Sequence, residues 1–105
     1  MKVEIHSGEA IIGEGELIHF DRGMGVARGS FAATPLYDSE AHAYQIGVRY
    51  NPAGEGSGLV AQGPAGPIEC AGVAILDAFE ELGEREVSLL GVVEFERHFG
   101  RTYES

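Results

Sequence analysis

Sixteen glycines are scattered in pairs and triplets along the whole of this 105-residue chain, and they leave apolar runs of about five to eight residues between them, the length of strands. A mainly β fold follows. Val3 and Ile5 alternate with polar neighbours, and after a turn at Ser7 and Gly8 the apolar pattern resumes in EAII (9–12). ELIHF (16–20) and the run 24–31 form a second strand-like pair around Asp21, Arg22 and Gly23, residues suited to a hairpin turn. Residues 45–50 read as the clearest strand, because Ile46, Val48 and Tyr50 alternate with Gln45, Gly47 and Arg49. In the Gly-rich stretch NPAGEGSGLVAQGPAGPIECAG (51–72), two turns flank a short strand LVAQ (59–62) and lead into Ile68 and Cys70. The first turn is longer than a tight hairpin needs.

Helical signals are few and local. TPLYDSEAHAY (34–44) allows a short helix with Thr34 as N-cap and Pro35 as its first residue, where the missing N–H costs nothing; a structured loop is the alternative. GVAILDAFEELG (72–83) fits both periods, so residues 73–82 stay ambiguous. A strand through Leu76 followed by a short acidic turn or helix ending at Gly83 is favoured. VVEFERHF (92–99) is ambiguous in the same way. Its Val and Phe content favours a strand over 87–95 that curls into a helical end before Gly100.

The expected fold is therefore mainly β, with α+β as the variant: a small antiparallel β-barrel or sandwich carrying one or two short helices. One domain should span 1–105, since a chain this short supports one core and its 44% hydrophobic and 23% charged residues are ordinary for a globular protein. The core should include Ile5, Ile12, Ile18, Phe20, Val26, Phe31, Ile46, Val48, Val73, Ile75, Leu89, Val93 and Phe95. Arg28, Arg49 and Pro67 are candidates to guard sheet edges, and an open edge would favour a homodimer.

Charge constrains the partners. Seventeen Asp and Glu face seven Lys and Arg, a formal net charge of -10, and Lys2 is the lone lysine. Nucleic-acid binding and docking on anionic membrane both draw on Lys and Arg, so this balance opposes both. Glu4, His6 and Glu9 interrupt the first ten residues where a secretory signal would be apolar, which makes a cytoplasmic location the expectation. A lone Cys70 builds neither a disulfide nor a C-x-x-C motif and reads as a buried small hydrophobe.

Catalytic patterns fail on their own terms. GSGLVA (56–61) satisfies G-x-G-x-x-A with Asp77 downstream, but Gln62, Gly63 and Pro64 stop the helix that a dinucleotide site requires. GMGVARG (23–29) has no helix to open either, and there is no Gly-Lys-Ser/Thr for a P-loop. Ser57 lacks the glycine two residues before it that a nucleophile elbow needs, and Cys70 would act as a nucleophile only with a histidine brought to it in space, which no sequence motif supplies. An enzyme is not the favoured reading, and no cofactor is implied.

Two candidate sites remain. His19 and Asp21 share a face of a strand, and with His42, alongside Glu40, they would offer nitrogen and oxygen ligands to a divalent metal if the second segment is extended. Glu80, Glu81, Glu84 and Glu86 surround Arg85 and would present a negative surface to a partner. The leading expectation is a small acidic interaction module or inhibitor that binds a basic protein through those glutamates. The alternative is a small-ligand or metal-binding β-barrel, with any enzymatic activity minor.

Overall fold

The computed structural model describes residues 1–55 and 58–100. Strand β1 (Lys2–Ser7) buries Val3 and Ile5 and exposes the residues between them. It pairs antiparallel with β2 (Ala10–Asp21), and β2 pairs antiparallel with β3 (Val26–Ala33). The two apolar runs expected on either side of Gly13 and Gly15 are thus one continuous strand. The turn at Asp21, Arg22 and Gly23 lies where the sequence places it, closed by the Asp21 carboxylate accepting from the Met24 N–H at 3.1 Å.

The chain then crosses to the far flank. A turn in which the Tyr37 N–H donates to the Thr34 carbonyl precedes helix α1 (Ser39–His42), whose N-cap is Asp38. The expected cap at Thr34 is therefore displaced by one turn of chain. Asp38 caps α1 through its carboxylate, which accepts from the Glu40 N–H at 3.0 Å, while the Thr34 hydroxyl donates to the Ile11 carbonyl at 2.7 Å and accepts from the Leu36 N–H at 3.2 Å in the turn ahead of the helix. Beyond it, β4 (Gln45–Ile46) and β5 (Arg49–Tyr50) form a hairpin rather than the single strand read from 45–50. Gly47 sits at φ +60° in the two-residue turn, the glycine position of a II′ hairpin turn, and Val48 at the tip is fully exposed. Helix α2 (Pro52–Glu55) follows, locked under α1 by Asn51, whose buried amide donates to the Ala43 carbonyl at 2.8 Å.

On the other flank, β6 (Val60–Gly63) and β7 (Gly66–Ile68) form a second hairpin, beside β1. Strand β8 (Gly72–Ala78) runs into helix α3 (Phe79–Leu82), which ends on Gly83 in the left-handed conformation as the sequence indicates. Strand β9 (Glu84–Leu90) returns antiparallel to β8 and joins β3. It stops at Leu90, short of the expected 95. Residues 95–99 form helix α4 (Phe95–Phe99), with Phe99 buried against the rings of Phe20 and Phe95 at 5.1 and 4.8 Å.

Among the described residues, nine strands form one sheet, in the order β5-β4-β8-β9-β3-β2-β1-β6-β7, and only the β4–β8 pair is parallel. Its first and last strands do not meet, so the expected barrel is not formed. Nor, among the described residues, is there a second sheet to make a sandwich. Ile75 from one flank and Ala61 and Ile68 from the other nevertheless share a single apolar cluster, so the sheet is bent over its own inner face. Both open edges are short, and Arg49 on β5 and Pro67 on β7 stand on them, as edge protection predicts; Arg28 is on central β3.

Three expected core residues are outside. Ile18 is 64% exposed, Val48 is at the turn tip, and Val93 lies in the exposed link before α4. Val3, Leu17, Val87 and Phe99 fill the interior instead. No helix among the described residues is long and apolar enough to cross a membrane.

Candidate functional site

Strands β8 and β9 carry two different sets of charges on their two faces. On the inner face Asp77 stands opposite Arg85, one pair beyond Ile75 and Val87. Asp77 is almost fully buried, and both of its oxygens are occupied: Oδ2 accepts from the Tyr37 hydroxyl at 2.6 Å and from Arg85 Nε at 3.0 Å, and Oδ1 accepts from the Phe79 N–H at 3.0 Å. The Arg85 guanidinium lies 4.2 Å from the Phe79 ring centre and 4.9 Å from that of Tyr37, so its flat face is stacked as well as paired.

The electrostatics follow from that packing. Burial alone would raise the Asp77 pKa, but the hydrogen bonds from Tyr37 and the Phe79 amide, with the Arg85 charge, outweigh it and hold the carboxyl below its ordinary value. Burial and the hydrogen bond to Asp77 push the Tyr37 phenol well above the ordinary tyrosine range. Asp77 is therefore ionised and Tyr37 neutral at neutral pH. With every Asp77 oxygen engaged, the cluster works as a clasp between the segment before α1 and the β8–α3 junction.

On the outer face the parity of the strands turns Glu84 and Glu86 away from the core. Glu86 stands beside Leu76 on one side and Ser30 on the other. These residues border an open groove of about 570 Å³ whose apolar lining includes Ile18, Leu76, Ala78 and Leu82. Ile18 reaches it through a β-bulge: Leu17 pairs with Gly29 and His19 with Arg28, so Ile18 is the extra residue. Gly29 makes the bulge possible, since a Cβ there would sit 1.7 Å from the Glu16 carbonyl oxygen. Glu84 is exposed and Glu86 half-buried on the groove, while the exposed Glu80 and Glu81 line a separate, smaller hollow with Ser39, Ile46 and Phe79. Among the described residues none of the four has an ion pair.

The four glutamates singled out from the sequence thus flank the turn where α3 meets β9, Glu84 and Glu86 on the groove and Glu80 and Glu81 on the smaller hollow. The proposed metal ligands are not gathered. His19 and Asp21 do share the outer face of β2, but the segment holding Glu40 and His42 is helical rather than extended. His42 Nδ1 accepts from the Asp38 N–H at 3.0 Å, and Asp21 closes its own turn. Among the described residues no group of three or more His, Cys, Asp or Glu could hold a metal ion. Cys70 is half-buried; burial pushes its thiol up, and the thiol donates to the Gly72 carbonyl at 3.4 Å. Gly56 and Ser57, the start of GSGLVA, lie outside the described residues.

No family model, curated protein or solved structure matches the chain. The site must be read from its own chemistry.

The inner clasp and the groove were both missed by motif reasoning, yet each left a trace. Asp77 continues the inward phase of Val73 and Ile75, and Arg85 that of Val87 and Leu89, so opposite charges on an apolar phase were there to be paired. The groove left a weaker trace, because a bulge does not show in period-two counting.

Proposed function

We propose that this chain is a protein-interaction module or inhibitor that presents the acidic corner of α3 and β9 to a basic protein partner. The observation that carries the reading is the division of charge along EELGERE (80–86): Arg85 is committed inward to Asp77, while Glu80, Glu81, Glu84 and Glu86 have no cation of their own among the described residues. Such a cluster, on a chain of net charge -10, attracts cationic surfaces over a Debye length and speeds their encounter. It repels other acidic surfaces by the same amount, which adds selectivity.

Affinity capture from extract of the native host, at low and at moderate ionic strength, tests this. The wild type should retain a basic protein at low salt and lose most of it at moderate salt, and a variant with all four glutamates changed to glutamine should retain little at either. A tight complex that ignores both salt and the substitutions would sink the reading.

A further inference from the structure

The acidic corner borders the groove on the outer face of the sheet, and the two share Glu84, Glu86 and Leu82. Ile18 is 64% and Leu82 71% exposed there, with half-buried Leu76 between the strands. Apolar side chains left open beside carboxylates without ion pairs form a surface with two unmet preferences. Water hydrates the carboxylates but gains nothing from the exposed apolar side chains beside them.

Building on the proposed function, we infer that this groove seats one apolar side chain of the partner, adjacent to an arginine or lysine that pairs with Glu84 and Glu86. The seated side chain would cover Ile18, Leu76 and Leu82 and expel water from around Glu86, which strengthens the neighbouring ion pair. Charge also sets the direction of the segment. At the end of the groove away from Glu84, His19 stands opposite Arg28, so the partner's cation belongs at the Glu84 end.

Three synthetic peptides test the occupant: one alternating arginine with leucine, one arginine with serine, one glutamate with leucine. At moderate salt the arginine–leucine peptide should bind roughly tenfold tighter than arginine–serine, the worth of one buried aliphatic side chain, and glutamate–leucine should not bind. Ile18→Ser and Leu82→Ser should each remove most of that advantage without weakening arginine–serine binding, and the leucine peptide should shift the amide resonances of Ile18, Leu76 and Leu82. Both side chains are exposed, so the variants should melt as the wild type does, and circular dichroism checks this. Equal binding of the two arginine peptides, or an advantage that survives both substitutions, overturns the inference and leaves the acidic reading standing. Failure of both arginine peptides to bind even at low salt overturns the two together. A self-association that Ile18→Ser weakens would make the groove an interface between copies and would likewise overturn it.

Discussion

The inner and outer faces of β9 treat the same three consecutive residues in opposite ways. Arg85 turns inward, where it is paired, stacked on two rings and largely shielded, while Glu84 and Glu86 turn outward, where they meet no cation among the described residues. One residue of register separates a clasp that holds the fold from carboxylates that have no ion pair among the described residues. The lesson is that stability and recognition should be separable here by substitution, position by position along one strand.

The largest effect is expected from breaking the inner side. Asp77→Ala removes the acceptor of the Tyr37 hydroxyl, the Arg85 guanidinium and the Phe79 amide at once. Removing one member of a buried ion pair costs about 3–5 kcal/mol, and because Arg85 keeps 21% exposure the lower end, about 3 kcal/mol, applies. Urea unfolding measures it. A loss below about 1 kcal/mol would mean that the freed groups are readily hydrated and that the two faces do not differ as described.

Gly29→Ala should come next, at about 2 kcal/mol, by the usual cost of overpacking a close-packed site. The added Cβ would sit against the Glu16 carbonyl, so the bulge that turns Ile18 outward must shift. This substitution couples the faces that the others separate: it should lower the unfolding midpoint and also move the Ile18 and His19 resonances. A stable variant with unchanged resonances would show that the bulge does not depend on this contact.

Titration sharpens the comparison at about 1 kcal/mol, the worth of a single buried hydrogen bond. The folded-state pKa of Asp77 is depressed, so its stabilisation is complete above the ordinary Asp value near pH ~4 and is lost as pH falls below that toward the folded value. Tyr37 is the reverse. Its folded pKa is raised, so its contribution is complete below about pH 10 and is lost as pH rises beyond. Tyr37→Phe should flatten the alkaline arm of a stability–pH curve and leave the Asp77–Arg85 part of the acid arm. An alkaline arm identical to that of the wild type would remove Tyr37 from the clasp.

How much of this was legible in the sequence depends on which physics set each feature. The β1, β2 and β3 pattern was readable because alternation and turn chemistry at Asp21, Arg22 and Gly23 agree, and Gly83 ends α3 for a reason that is local to it. The strand at 45–50 was misread because alternation at Ile46, Val48 and Tyr50 takes no account of whether Gly47 turns back. The helical end before Gly100 was legible, but the strand ahead of it was drawn too long, to 95 rather than 90, because Val and Phe favour strands in general, whereas Phe99 is held by Phe20, a contact between distant parts of the chain. The unclosed sheet was not legible at all, since closure depends on strand order and not on the strands. Of the candidate sites, the glutamates stay close to the α3–β9 turn because they are neighbours in sequence, and the metal set was not gathered because it required two distant segments to converge.

The smallest effect is expected on the outer face, and it tests the comparison from the side where little should happen. Glu84→Gln with Glu86→Gln should change stability by no more than about 0.5 kcal/mol, the ordinary range for surface positions. Its sign is informative. The two carboxylates share the outer face of β9 on a chain of net charge -10, so relieving mutual repulsion should raise the melting temperature slightly at low salt, and screening should erase the gain at moderate salt. A loss of more than about 1 kcal/mol would instead mean that these glutamates are tied within the fold as Asp77 is. The outer face would then be structural, and the division of labour along β9 would fail with it.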